Sequence, residues 1–180
     1  MKIGTKVLLG VTLVCGLATA VLMVAAILQK TWVVKSGVTS TLSAGLTEVC
    51  DNVFSARVYC TDKSGACYLS EKSDVCVMLK GGFASAVMSA IAVVCVVTAP
   101  LVYMVHTTFK NERPGKLFKN ILFIGLLALS MALQAASLIT WGASAKNFIN
   151  NNSFSVGGGF YTYLTSFIFC ILNLVSAIFM

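Results

Sequence analysis

Charge is scarce in this chain, and so are histidine and proline. Only 11% of the residues are charged, and there are one histidine and two prolines. The sequence has no Ser/His/Asp arrangement, no HExxH motif, no Gly-rich phosphate loop and no pair of acids inside an apolar run. Catalysis and active transport usually depend on such groups. The sequence therefore predicts a protein that is not an enzyme and that holds no cofactor and no metal.

Four long apolar runs make up about half of the chain, and none contains Asp, Glu, Lys or Arg: 7–28, 82–105, 120–141 and 158–180. As a helix, each run would span roughly 30 Å, the thickness of the hydrocarbon core of a bilayer. We therefore expect one domain over residues 1–180, an all-α integral membrane four-helix bundle in contact with the lipid bilayer. The net charge of +7 is not gathered into a basic helix or an Arg-rich patch, so no nucleic-acid partner is expected.

The few basic residues predict the topology. Lys2 and Lys6 precede the first run, and the loop 106–119 carries four basic residues against one acid. Lys146 is the only charge in the short loop 142–157. By the positive-inside rule both termini are cytoplasmic, and loops 29–81 and 142–157 face the exterior of a multi-pass plasma-membrane protein. A cleaved signal peptide ending near Ala20 is the alternative, but the apolar run continues to Leu28, which favours a retained span.

The loop 29–81 contains four of the seven cysteines: Cys50, Cys60, Cys67 and Cys76. Outside the cell they predict two disulfides, with three possible pairings. We favour Cys50–Cys60 and Cys67–Cys76, because neighbouring strands bring partners close in sequence together. Zinc is disfavoured, because the spacing contains no C-x-x-C pair and the loop contains no histidine.

The loop also contains alternating segments that favour strands, at 31–34, 57–60, 67–69 and 75–79, so a small β-rich, disulfide-bonded extracellular loop is expected. In the second loop, Asn151 begins a glycosylation sequon. Its closeness to two spans favours an unmodified side chain.

Small residues recur at intervals of four in the apolar runs, as in Thr12, Gly16 and Ala20, and in Ala128, Ala132 and Ala136. Such rows predict close helix packing, within the bundle or with a partner helix. A third row, Gly82, Ala86 and Ala90, has Ser85 and Ser89 one residue behind. Gln134 and Asn173 are the most polar side chains in the runs. Hydrogen bonding between helices is favoured for them, while a role in lining a small pore or binding a partner helix stays open.

Trp32 lies near the start of the loop 29–81, which also contains Gly45-Leu46-Thr47-Glu48-Val49-Cys50, followed by Cys60. This order resembles the G-L-W-x-x-C…C motif of the claudin, peripheral myelin and epithelial membrane protein superfamily of four-span proteins, with Thr47 in place of its tryptophan. Ala135-Ala136-Ser137 and Gly159-Phe160-Tyr161 resemble the same superfamily near its last two spans. Cys50, Phe54, Arg57 and Cys60 also resemble the spacing in amastins, surface proteins of related architecture.

The resemblance implies a non-enzymatic function in contact: adhesion, lateral assembly with itself or other membrane proteins, or service as an auxiliary subunit of a membrane complex. The candidate contact residues are aromatic or basic: Phe54, Arg57, Tyr59 and Tyr68, with Trp32 and Leu46 beside them. Packing of the loop onto the helices is the competing role, above all for Trp32 and Phe54. A small channel or transporter of unknown solute is the alternative function.

Overall fold

The computed structural model describes residues 3–36, 40–53, 56–62, 67, 73–108 and 116–179. Four helices in this part of the chain are long and apolar enough to cross a membrane: α1 (Ile3–Leu28), α2 (Asp74–Thr108), α3 (Lys116–Asn152) and α4 (Gly158–Ile178). Large apolar side chains cover their outer surfaces as well as their contacts. Such a surface is compatible with a multi-pass membrane protein, since a water-soluble chain rarely exposes so much apolar area.

Helix α2 begins eight residues before the apolar run that predicted it, at Asp74 instead of Gly82. Ser73 caps it, because its Oγ accepts a hydrogen bond from the backbone N–H of Cys76 at 3.2 Å. Asp74 adds a negative charge in the first turn, where the helix dipole favours it. The strand predicted at 75–79 is therefore wrong, because this cap starts a helix in a segment that β-propensity alone would make extended.

Helix α3 continues eleven residues past Trp141, the end of its apolar run, into the predicted loop 142–157. It ends in a Schellman motif: Ser153 adopts φ 56°, and the N–H of Phe154 donates to the carbonyl of Ile149 at 3.2 Å. The rings of Phe148 and Phe154 pack at 4.6 Å between centroids, which supplies the apolar contact that accompanies this motif. The connection to α4 is correspondingly short.

A five-stranded antiparallel sheet has the order β4-β3-β2-β1-β5. The strands are β1 (Val33–Ser36), β2 (Ser40–Ala44), β3 (Glu48–Val53), β4 (Ala56–Asp62) and β5 (Ser155–Val156). The first four come from the connection between α1 and α2, and β5 comes from the connection between α3 and α4. The two loops predicted on one side of the membrane thus share one sheet, and the expectation of a small β-rich loop is confirmed.

Two disulfides have the pairing favoured from the sequence. Cys50 on β3 lies opposite Cys60 on β4 and is bonded to it, with 4.1 Å between their Cα atoms. Cys67, which is helical and not in the strand expected at 67–69, is bonded to Cys76 in the first turn of α2. The other three cysteines are free and lie in the helices: Cys15, Cys95 and Cys170.

Candidate functional site

Trp32 connects the sheet to the helices. Its indole Nε1 donates to the carbonyl of Ala26 at 2.7 Å, and its ring lies 5.0 Å from that of Trp141 and 5.4 Å from that of Tyr163. A Cβ on Gly159 would lie 2.6 Å from the indole Cδ1, so only glycine allows this approach. Trp32 is 1% exposed, and its role here is packing, not contact with another molecule.

The Gly45-Leu46 pair fixes the far end of β2 on the same junction. The Gly45 N–H donates to the carbonyl of Glu48 at 2.9 Å and closes the turn into β3. Leu46 is buried. A Cβ on Gly82 would lie 2.8 Å from the carbonyl carbon of Leu46, so the absence of a side chain at Gly82 lets the turn pack against α2. Leu46 therefore does not serve as a contact residue. Together with Trp32 and the Cys50–Cys60 disulfide, these motif residues hold the sheet in place.

A row of buried hydroxyls joins the helices beneath this junction. The Ser89 hydroxyl lies 2.8 Å from the hydroxyl of Tyr163 on α4 and 3.0 Å from that of Ser137 on α3. Ser85 Oγ donates to the carbonyl of Ser137 at 2.8 Å. On α2 the serines, and not Ala90 of the neighbouring row, therefore face the core, because their hydroxyls find partners there.

The row continues along the bundle through Gln134. Ser166 Oγ on α4 donates to Gln134 Oε1 on α3 at 3.5 Å and lies 3.2 Å from the carbonyl of Thr19 on α1. Farther along, the hydroxyls of Thr12 and Ser176 lie 2.9 Å apart. The predicted hydrogen bonding of Gln134 between helices is confirmed. These groups are neutral and tightly packed, so they hold four helices in one register.

Asn173 and Trp141 each bury a polar atom, Oδ1 and Nε1 respectively, that has no hydrogen-bond partner among the described residues. The amide Nδ2 of Asn173 faces Gly16 on α1, whose missing side chain makes room for it: a Cβ there would lie 3.1 Å away. Buried polar atoms are usually paired. Asn173 therefore contacts α1 closely, although hydrogen bonding between helices was favoured for it and its Oδ1 has no partner among the described residues.

The rows of small residues on α1 and α3 differ in burial. Thr12, Gly16 and Ala20 are buried and face the other helices, as predicted. Ala132 is exposed, and Ala128 and Ala136 are half-buried. The row on α3 therefore lies outside the bundle core, because larger or polar side chains occupy the inward face: Phe123, Leu127, Ser130, Gln134, Ser137 and Trp141.

A strip of α3 that we call the α3 outer face consists of Gly125, Ala132, Ala136 and Ala143. At 3.6 residues per turn, all four lie within about 20° of one line along the helix. Gly125, Ala132 and Ala143 are exposed, and a Cβ on Gly125 would meet nothing within 4 Å. Large side chains such as Val14 and Leu17 on α1 cover much of the other exposed helix surface, where small residues such as Gly10 and Ala90 also lie. The α3 outer face is thus a shallow channel flanked by Leu129 and Ile139, which a second helix could approach closely.

Two of the candidate contact residues, Arg57 and Tyr59, lie on β4. The backbone of Arg57 pairs with Asn52 and that of Tyr59 with Asp51, so both residues belong to a strand at one edge of the described sheet. Phe54 and Tyr68 lie outside the described residues. Their role in contact stays a prediction.

One ion pair and one hydrogen bond to a carboxylate link the loops to the helices. Lys30 and Glu48 form an ion pair that links the end of α1 to β3. Asn151 Nδ2, the atom that would carry a glycan, donates to the Asp74 carboxylate at 2.9 Å and so joins the end of α3 to the start of α2. A glycan at Asn151 would replace one of the two N–H groups of Nδ2 and crowd this contact.

One group in the described part of the chain has the residue types and spacing of a metal site, namely Glu48, Cys50 and Cys60. Its two sulfurs are bonded to each other, so they are not thiolate ligands while the disulfide is intact. The group is better explained as a disulfide beside an ion pair.

No protein-family model matches the chain, and no curated protein matches it. The resemblance to the claudin superfamily therefore depends on the residues described above.

Proposed function

We propose that this chain is a claudin-like four-span protein of the cell surface that works by contact, and that it assembles laterally with a second copy of itself or another membrane protein through the α3 outer face. The supporting observation is the alignment of Gly125, Ala132, Ala136 and Ala143 on one line of α3, where three of them are exposed and Ala136 is half-buried.

Lipid does not reward apolar burial between helices, because acyl chains are as apolar as leucine. Helices in a bilayer associate where small residues allow their backbones to approach and their side chains to pack. The α3 outer face offers such a surface along the middle of the helix. The row of small residues on α1 already packs within the bundle, because Gly16 lies against Asn173 on α4.

In this topology the sheet stands outside the cell, held by Trp32 and the two disulfides, and presents β4 for contact. Replacement of Tyr59 by alanine should weaken adhesion between cells while lateral association is unchanged. The same replacement should leave the helices intact, because Tyr59 lies on a strand outside the apolar helices.

The direct test compares Ala132→Leu with Ala90→Leu, an equally small and exposed position on α2. Both variants add a leucine to the outer surface. We expect Ala132→Leu to weaken association by about tenfold, measured by energy transfer between labelled copies in liposomes and by co-purification from the native membrane in mild detergent. Ala90→Leu should behave as the wild type.

Equal association of the two variants would contradict the proposal. So would a wild-type chain that is monomeric in liposomes and has no partner in the native membrane. Robust, saturable solute uptake by the purified protein alone would support the channel or transporter alternative instead.

A further inference from the structure

A groove opens on the outer surface between α1 and α2, on the part of α2 that follows Val96. Its volume is about 270 Å³, and its walls are almost wholly apolar. Gly16 and Pro100 lie in the walls, while Leu17, Leu101 and Met104 form the exposed lips.

We infer that this groove binds one acyl chain of an anionic phospholipid, an inference that rests on the proposed placement of the helices in a membrane. Water is a poor occupant, because it needs several polar partners and the walls offer almost none. An empty groove would cost its lining side chains their van der Waals contacts. A second helix is also a poor fit, since Leu17, Leu101 and Met104 would hold its backbone away. A flexible hydrocarbon chain can follow the space between these lips.

The charge at one end of the groove selects the headgroup. Met104 lies four residues, or about 6 Å along the axis, before the end of α2 at Thr108. Lys6 is in the first turn of α1, and Lys116 and Lys119 are in the first turn of α3, so their backbones lie at this same end of the bundle. A lipid whose chain enters the groove therefore places its headgroup beside an excess of positive charge, which favours an anionic one.

The test measures the lipid that the full-length protein retains. The protein is reconstituted in vesicles of equal parts phosphatidylcholine and phosphatidylserine and is then extracted in mild detergent. Native mass spectrometry identifies the lipid that remains bound. We expect phosphatidylserine to be retained about tenfold more than phosphatidylcholine. Leu101→Trp, which fills the groove from its lip, should abolish this retention. The matched control is Ile168→Trp on α4, because Ile168 is 52% exposed and Leu101 is 51% exposed. It should retain lipid as the wild type does.

Leu17→Trp fills the groove from the opposite lip and replaces Leu101→Trp if that variant is poorly folded. The double variant Lys116→Gln, Lys119→Gln should keep a retained lipid but lose most of the preference for phosphatidylserine. Equal retention of the two lipids by the wild type would overturn the inference, and so would undiminished retention in both groove-filling variants. Ala132→Leu should leave lipid retention unchanged, so failure of lateral assembly and failure of lipid binding are distinguishable. Failure of the protein to enter vesicles would contradict the membrane placement itself.

Discussion

At the scale of single residues, Trp32 shows what a sequence can and cannot indicate. Its position directly after an apolar run marked it as a motif residue, with packing and contact as competing roles. Its partners decide between the two roles, and they lie far away in sequence: Trp141 and Tyr163. No local pattern predicts such contacts, because they depend on how α3 and α4 approach the start of the sheet.

Replacement of Trp32 should therefore affect stability more than association. Trp32→Ala should lower the free energy of unfolding by about 3–5 kcal/mol, because it leaves a cavity among buried rings. Trp32→Phe should cost less, about 1–3 kcal/mol, because it keeps an aromatic ring and removes the donor to the Ala26 carbonyl. Thermal unfolding in detergent measures both, with Phe179→Ala as an exposed control. A Trp32→Ala variant as stable as that control would contradict the packing role.

A substitution at Ser153 should have a smaller effect on the free energy of unfolding, and of the opposite sign. It adopts a left-handed backbone conformation that most residues other than glycine disfavour. Ser153→Gly should raise the free energy of unfolding by about 1 kcal/mol, and Ser153→Thr, a β-branched residue, should lower it. The comparison requires protein from a host that does not glycosylate, since glycine removes the sequon and threonine keeps it. A stabilising threonine would show that the end of α3 is not held by this motif.

At the scale of elements, the apolar runs located all four helices because bilayer thickness fixes a minimum length. The start of α2 and the end of α3 were missed. A serine N-cap sets the first and a residue in the left-handed backbone conformation sets the second, and hydropathy detects neither. Ser73-Asp74 before an apolar stretch is a helix-start pattern that would have moved the start of α2. Strands β2 and β3 were also missed. Their sequences are polar and acquire strand structure from pairing with neighbours.

The Cys50–Cys60 disulfide should determine whether the sheet folds. A disulfide typically contributes ~2–4 kcal/mol, and a small sheet has little core to replace it. Cys50→Ser should therefore reduce delivery to the cell surface, while Cys15→Ser on α1 should not, because Cys15 is free. Surface labelling of intact cells measures the difference, and non-reducing peptide mapping checks the pairing. Free thiols at all four loop positions of the mature protein would contradict the assignment of the sheet to an oxidising compartment.

At the scale of the whole molecule, the sequence indicated which residues share a face but not which way the face points. Ala132 is exposed, and Ala128 and Ala136 are half-buried, so this row lies outside the bundle core. The opposite side of α3 carries the bulk and the hydroxyl partners that the other helices need. The buried row through Ser85, Ser89 and Gln134 was likewise only partly visible, because serines scattered along three helices become neighbours through packing alone.

The orientation of the molecule in the membrane is the broadest prediction. Basic residues lie at the ends of the helices farthest from the sheet, so those ends should be cytoplasmic and the sheet extracellular. Tags appended at Met1 and Met180 should be hidden from antibody in intact cells and should stain after permeabilisation. Lys35 is exposed on β1, so a membrane-impermeant amine reagent should label it in intact cells, and Lys35→Arg should remove that label. Staining of the Met1 tag from outside would reverse the orientation. A mature protein that lacks the Met1 tag while Lys35 stays labelled would instead show that the first apolar run is a cleaved signal peptide, which would remove α1 and the groove that it forms with α2.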